Sequence, residues 1–216
     1  MTTQLQISDA VMFDYGFSSA SYRLRIALNL KGVEPGGVKI LNLRDGDQFD
    51  AGYIGKTSAP LVPALDFGRE THGQSLAIIE WLDRTYPEPK LIPDDARDAL
   101  VVREMAYVIA CDIHPINNLR VLKYLTDELD VSDEAKSRWY SKWVRSGFYT
   151  LEELTSKHTD KGDFCFGDAP TLADICLVPQ MANAKRFNVP VDDFSRLNSI
   201  TQACSQLTAF NSAAPN

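Results

Sequence analysis

The sequence has no long apolar run and no excess of positive charge, and both absences exclude classes of function. No stretch reaches the roughly 18 apolar residues of a membrane-spanning helix. The polar start, Met1 to Ser8, lacks the basic flank and apolar centre of a signal peptide. The net charge of −7 argues against a nucleic-acid partner, because phosphates require basic patches. We therefore expect a cytoplasmic protein with neither a membrane nor a nucleic-acid partner.

Cysteine is also sparse, and its distribution excludes two kinds of chemistry. The four cysteines are Cys111, Cys165, Cys176 and Cys204, without the short paired spacings of a zinc site. Cys111 and Cys176 lie in apolar helical patterns, which predicts buried, reduced thiols. We expect no metal and no cysteine nucleophile.

The remaining pattern predicts two domains of different class. The chain has 216 residues, 44% of them hydrophobic, enough for one or two ordinary cores. Strand and helix signals alternate at first, until the prolines after Tyr86 prevent helix continuation; beyond Asp94 the patterns are helical throughout. We predict an α/β domain over 1–86, a linker over 87–94 and an all-α domain over 95–216. The predicted strands are 10–14, 37–42, 61–66 and 69–72, and the predicted helices are 19–31, 46–53, 74–85, 95–125, 133–157, 171–186 and 194–208.

A hydroxyl-rich segment, Ser18-Ser19-Ala20-Ser21, lies where the first strand leads into an amphipathic helix that ends at Gly32. Hydroxyls and free backbone N–H groups at a helix start can hold a thiolate or a carboxylate, because the donors and the helix dipole point the same way. The alternative is simple N-capping by Ser18 or Ser19.

Two later segments make the pattern more specific. Leu61-Val62-Pro63-Ala64-Leu65 and Gly73-Gln74-Ser75-Leu76, taken with the hydroxyl cluster, resemble the thioredoxin-like domain of glutathione transferases. The segments 111–120 and 167–174 extend the resemblance to the zeta class, which includes maleylacetoacetate isomerase and bacterial maleylpyruvate isomerases. The resemblance covers nearly the whole chain. It implies the glutathione transferase fold, with an N-terminal thioredoxin-like domain and a C-terminal helical domain, glutathione as cofactor, a homodimer, and a role in aromatic catabolism.

The same resemblance implies roles for individual residues. Ser18 is expected to activate the glutathione thiol, with Ser19 as a second donor. A planar guanidinium suits carboxylates, and Arg120 and Arg186 fall on positions that hold substrate carboxylates. The expected glutathione contacts are Gln48, the backbone of Val62 at a cis-proline turn, Gln74 and Ser75 at the next helix start, and His114 and Asn118, which share one face of the predicted helix 95–125.

For several of these positions a purely structural role remains an alternative to ligand binding. Val62-Pro63 is also compatible with an ordinary edge-strand proline, and Ser75 with a simple helix cap. His114 and Asn118 are compatible with a solvated helix face. In contrast, Thr171-Leu172-Ala173-Asp174 has the form of a capping box, which predicts a structural element rather than a catalytic one.

Two departures from the zeta pattern bear on function. Phe17 stands where zeta-like isomerases usually carry arginine, and Ala20 where many carry cysteine. A third, Lys56-Thr57-Ser58-Ala59-Pro60, replaces the usual Asn-Pro loop. The leading hypothesis is a glutathione-dependent cis–trans isomerase of maleylpyruvate or maleylacetoacetate. The alternatives are a glutathione transferase acting in conjugation, dehalogenation or peroxide reduction, and a non-catalytic binding protein.

Overall fold

The alternating signals at the start of the chain form a four-stranded mixed sheet in the computed structural model, which describes residues 5–158 and 162–215. The strand order is β2-β1-β3-β4, with β1 parallel to β2 and antiparallel to β3, and β4 antiparallel to β3. Phe13 of β1 is paired with Lys39 of β2 and with Ala64 of β3. The strands are β1 (Val11–Asp14), β2 (Gly37–Ile40), β3 (Ala64–Asp66) and β4 (Thr71–His72).

The helices between and after these strands are α1 (Ser19–Lys31), the short α2 (Ala51–Ile54), which follows a 3-10 turn at Asp47–Phe49, and α3 (Ser75–Thr85). Helix α1 has the predicted bounds because both ends carry local signals. Gly32 ends it with a φ of 64°, a left-handed conformation that glycine adopts without steric cost. Lys31 ties α1 to α3, since its Nζ lies 2.6 Å from Asp83 Oδ1.

The second part of the chain is helical. The predicted helix over 95–125 is broken into three α-helices and one π-helical turn, Val108–Ile113. The core of this helical part includes Val144, Phe148, Ile175 and Leu197, all fully buried. The helices are α4 (Ala96–Tyr107), α5 (His114–Asn117), α6 (Leu119–Asp127), α7 (Asp133–Ser156), α8 (Leu172–Arg186) and α9 (Ser195–Ser205).

The chain divides into two compact units, and the end of the chain belongs to the first of them. One unit is Leu91–Leu207, and the other takes in the chain through Lys90 and again from Thr208. A last short helix, α10 (Thr208–Asn211), packs on α1. There the Tyr22 hydroxyl donates to the Phe210 carbonyl at 3.2 Å. The predicted all-α domain includes this segment, because helical periodicity carries no information about the partner on which a helix packs.

Cys111 is exposed, so the prediction of a buried thiol is wrong there. It lies in the π-helical turn, where the wider winding shifts side chains away from the 3.6-residue period on which the prediction rests. Cys176 is buried as predicted. Over the two described ranges, no helix is both long enough and apolar enough to cross a membrane.

Candidate active site

The sheet topology brings the candidate residues of the first unit to one end of the sheet. Strand β1 leads to Ser18, and its parallel neighbour β2 leads to Gln48. Strand β3 runs the opposite way and begins just after Val62. Strand β4 is paired through His72 with Leu65 and therefore runs back toward that same end, where Gln74 follows. Residues far apart in sequence are thus neighbours in space.

Ser18 is the N-cap of α1, and its Oγ accepts a hydrogen bond from the Ser21 N–H at 3.2 Å. Accepting this bond leaves the Ser18 hydroxyl proton available for donation to a ligand. Ser18 is half-buried, whereas Ser19 is buried. The first-turn N–H groups of a helix have no partner within it, and the dipole adds positive potential. Capping and thiolate stabilisation are therefore compatible at Ser18.

Arg25, which sequence reasoning missed, holds the loop before Ser18. Its guanidinium pairs with Asp14 Oδ1 at 2.7 Å and donates to the carbonyls of Gly16 at 3.0 Å and Ala213 at 2.8 Å. These bonds join the end of β1, the loop and the end of the chain. The available signal was an arginine within a mostly apolar helix.

The Val62–Pro63 peptide bond is cis, which confirms the predicted cis-proline turn. In the described ranges, neither the N–H nor the C=O of Val62 has a hydrogen-bond partner, so both can pair with an extended peptide. The Tyr53 hydroxyl donates to the Leu61 carbonyl and holds the preceding loop. Burial raises the pKa of Tyr53 to about 12, which keeps its proton in place at neutral pH.

The unusual segment over 56–60 is anchored by an ion pair between Lys56 and Asp66 of β3. The hydrogen bond from Lys56 is the main cause that holds the pKa of Asp66 below its usual value, while partial burial opposes it. The segment that departs from the usual Asn-Pro loop is thus tied to β3.

Gln74 has a φ of 66°, a conformation that costs free energy for any residue except glycine. It occupies the N-cap position of α3 without a side-chain capping bond, and it is exposed. Ser75 is the first residue inside the helix rather than its cap, so the capping alternative for Ser75 is wrong. Because β4 runs toward the end of the sheet that carries Ser18, α3 starts at that end.

Gln48 contributes an unused acceptor. Its side chain is buried and its Nε2 donates to the Leu43 carbonyl at 3.3 Å. Within residues 5–158 and 162–215 its Oε1 has no hydrogen-bond partner, and a buried acceptor left without a donor is costly. The Ser18 hydroxyl, the Val62 backbone and the start of α3 lie at the same end of the sheet, where they offer donors for an anion and backbone groups for an extended peptide.

In the second unit the expected common face of His114 and Asn118 is wrong. His114 begins α5, but Asn118 is extended, with φ −77° and ψ 166°, and separates α5 from α6. The Asn118 side chain accepts from the Val121 N–H at 3.2 Å and donates to the Pro115 carbonyl at 2.9 Å. An asparagine side chain competes with helical backbone bonds in this way, and here it starts a new helix.

The remaining candidates of the second unit lie at helix ends. His114 is half-buried. Arg120 is the second residue of α6 and exposed, and no carboxylate pairs with it in the described part of the chain. Arg186 ends α8, with its Cζ 5.1 Å from the centre of the Phe187 ring. Burial raises the pKa of Tyr140 to about 12, and the positive charge of Arg186 opposes that rise.

The predicted capping box at the start of α8 is confirmed. The Asp174 carboxylate is fully buried and accepts from the N–H groups of Thr171 and Cys165, both at 2.8 Å. It also accepts from the Thr171 hydroxyl at 3.0 Å. Burial raises the pKa of Asp174, and these bonds oppose the rise. All of its acceptor capacity faces the protein, so this cluster is structural.

Comparisons with known proteins agree over nearly the whole chain. Residues 17–85 match the family described as glutathione S-transferase, N-terminal domain. A Vibrio cholerae serotype O1 protein named probable maleylacetoacetate isomerase is 45% identical over 206 residues, 95% of each chain. A holo structure of maleyl pyruvate isomerase, described as a bacterial zeta-class glutathione S-transferase, superposes with a TM-score of 0.92 at 40% identity, covering 95% of this chain and 96% of the other. A maleylacetoacetate isomerase from Methylobacterium extorquens AM1, solved with bound malonate and GSH, gives a TM-score of 0.90 at 32% identity, with the same coverage.

Proposed function

This chain belongs to the zeta class of glutathione transferases, the class of the maleylacetoacetate and maleylpyruvate isomerases, and on that premise we propose that it is a glutathione-dependent cis–trans isomerase of a maleyl substrate. The observation that carries the proposal is the collection of unused polar groups at one end of the sheet. They are the Ser18 hydroxyl proton, the Val62 backbone, the Gln48 Oε1 and the start of α3.

These groups match the parts of glutathione in order. Gln74 and Ser75 receive the γ-glutamyl carboxylate at the start of α3, where the helix dipole favours an anion. The Val62 backbone pairs with the cysteinyl residue, and Gln48 accepts a ligand N–H. Ser18 then donates its hydroxyl proton to the sulfur, with Ser19 as the second donor, and lowers the pKa of the thiol.

Bound glutathione would supply a thiolate that adds to the maleyl double bond and leaves again after rotation about the carbon–carbon bond, with no net change in atoms or electrons. The protein lowers the barrier by holding negative charge at fixed donors. Arg120 and Arg186 bind substrate carboxylates through their planar guanidinium groups. His114 and Asn118 are the proposed glutathione contacts of the second unit, although the Asn118 side chain also caps α6.

A second candidate is a transferase that conjugates glutathione to an apolar electrophile. The observation that favours it is Phe17, a residue that directly precedes Ser18 and is 44% exposed. An exposed aromatic ring offers apolar contact to such a substrate.

One assay separates the two functions. Purified protein is given maleylpyruvate, maleylacetoacetate or a chlorodinitrobenzene, each with and without glutathione. We expect isomerisation of at least one maleyl substrate that depends on glutathione. Turnover of the chloroarene alone would favour the transferase, and absence of glutathione binding by calorimetry at millimolar concentration would refute both.

We also propose a cytoplasmic homodimer that acts in aromatic catabolism, as the family resemblance implies. Sedimentation equilibrium tests the assembly, because a dimer has twice the 24.1 kDa mass of the chain. A mass that stays at the monomer value over micromolar concentrations would contradict it.

A further inference from the structure

A cation, the guanidinium of Arg44, lies beside the candidate thiolate site. The guanidinium Cζ of Arg44 lies 5.9 Å from the centre of the Phe17 ring, within the range of a cation–π contact. Phe17 directly precedes Ser18, the cap of α1. Arg44 is exposed, and no acidic group within residues 5–158 and 162–215 forms an ion pair with it.

The sheet topology explains this position. Strands β1 and β2 are parallel neighbours, so the segments that follow them leave the sheet at the same end. Phe17 follows β1 and Arg44 follows β2. Two residues widely separated in sequence therefore meet because of strand pairing, and no local pattern announces their contact.

The acidic residues next to Arg44 are engaged elsewhere. Asp45 accepts from the Asn42 side-chain amide at 2.6 Å, and Asp47 accepts from the Asn42 backbone N–H at 2.7 Å. The Arg44 backbone N–H is held by Asn42 Oδ1 at 3.2 Å. The turn is thus fixed by its own bonds, while the guanidinium keeps all of its donors for a ligand.

We propose that Arg44 binds a carboxylate of the maleyl substrate, with Phe17 as the platform that holds its guanidinium. This inference rests on the proposed function. Val62 and Gln74 lie on the β3 and β4 side of Ser18, whereas Arg44 lies on the β2 side. Gln48, the proposed glutathione contact that also follows β2, is buried, whereas Arg44 is exposed beside Phe17. A molecule attacked by the thiolate lies beyond the sulfur, away from Val62 and Gln74, and a planar guanidinium there is suited to a carboxylate. Phe17 acts through Arg44 and is a positioning residue.

The test compares a doubly charged and a neutral electrophile. For Arg44→Ala we expect KM for the maleyl substrate to rise about tenfold, because a charge-assisted bond is lost. Turnover of the neutral chlorodinitrobenzene with glutathione changes by less than about twofold, since it has no carboxylate. Arg44→Lys recovers part of the loss, and Phe17→Leu raises KM by about two- to threefold. Equal losses for both electrophiles, or no loss for either, would overturn the proposal.

Arg69→Ala is the matched control. Arg69 is exposed in the same unit but lies in the turn between β3 and β4, at the opposite end of the sheet. We expect its kinetics to match the wild type.

Two binding measurements separate this inference from the proposed function. Calorimetry with reduced glutathione should give the same Kd for Arg44→Ala and wild type; a weaker Kd would assign Arg44 to the cofactor and overturn the proposal. Maleate is then titrated into glutathione-saturated protein, which tests carboxylate binding even if wild type isomerises nothing. Binding that is weakened about tenfold in Arg44→Ala supports the inference, and unchanged binding refutes it.

Discussion

Helices α1 and α8 begin with the same kind of hydroxyl cap, but the cap serves a different purpose in each. Each begins with a hydroxyl cap, Ser18 in one and Thr171 in the other. At α8 the Thr171 hydroxyl and the N–H groups of Thr171 and Cys165 all donate to the buried Asp174 carboxylate. At α1 the cap is half-buried, and its hydroxyl proton has no acceptor in the part of the chain that the structure describes. A helix start becomes a binding site when some of its donors remain unsatisfied and a ligand can reach them.

The largest effect is expected when the buried carboxylate at α8 is removed. Asp174→Ala leaves two buried N–H groups without an acceptor, so we expect the free energy of unfolding to fall by about 3 kcal/mol in urea titrations. Asp174→Asn, which keeps the shape, serves if the alanine variant does not fold. The exposed first-turn Asp133→Ala is the control and should leave the urea midpoint nearly unchanged. If Asp174→Ala lowers the free energy of unfolding by less than about 1 kcal/mol, the assignment of a structural role to Asp174 is wrong.

The matching change at α1 should damage chemistry more than folding. Ser18→Ala removes the donor to the thiolate, and we expect kcat/KM for the maleyl substrate to fall about 100-fold. The lost cap costs about 1 kcal/mol of stability. Ser18→Asp restores a capping acceptor but places an anion beside the sulfur. It should therefore recover stability in urea while activity stays low, and recovery of activity would show that Ser18 acts through capping alone.

The arginines of the second unit are expected to act on substrate only. Arg120→Ala or Arg186→Ala should reduce kcat/KM for the maleyl substrate about tenfold, because one charge-assisted bond is lost. Glutathione affinity by calorimetry should stay within about twofold of wild type. If glutathione affinity falls in parallel with activity, the assignment of these arginines to substrate is wrong.

The smallest effect is expected at the ion pair behind the cis-proline turn. The pKa of Asp66 is lowered in the folded state from its ordinary value of 3.8, so the pair stabilises the fold above that pH and its contribution is lost as the pH falls through the folded pKa. Lys56 is half exposed, so the contribution is below about 1 kcal/mol. Asp66→Asn should lower the free energy of unfolding at neutral pH by that amount. In strong acid, where Asp66 of the wild type is protonated, the two proteins should be equally stable. An unchanged difference between the two proteins at low pH would refute this account.

Elements with signals in their own residues could be predicted from the sequence. The bounds of α1 follow from Ser18 and Gly32, and the capping box of α8 follows from Thr171 and Asp174. In each case the determining interaction spans only a few residues. The cis-proline turn and the zeta-class fold followed from a resemblance that spans nearly the whole chain.

Features that depend on competition between local and distant interactions could not be predicted. The pattern over 95–125 reads as one helix, because Pro115 is tolerated in the first turn of a helix and Asn118 can either continue a helix or cap one. In the structure Asn118 caps a new helix. The exposure of Cys111 follows from the π-helical turn in the same segment.

The sequence by itself therefore determined the class of the fold, the helix caps and the candidate residues, because these depend on neighbours along the chain or on similarity over its whole length. Which polar groups remain without a hydrogen-bond partner, and which side chains contact one another, depends on the tertiary structure. Gln48 Oε1 is left without a donor by the packing around it. Arg25 meets the Ala213 carbonyl, 188 residues along the chain, and Arg44 meets Phe17 because β1 and β2 are parallel neighbours. Both contacts depend on segments that no local pattern brings together.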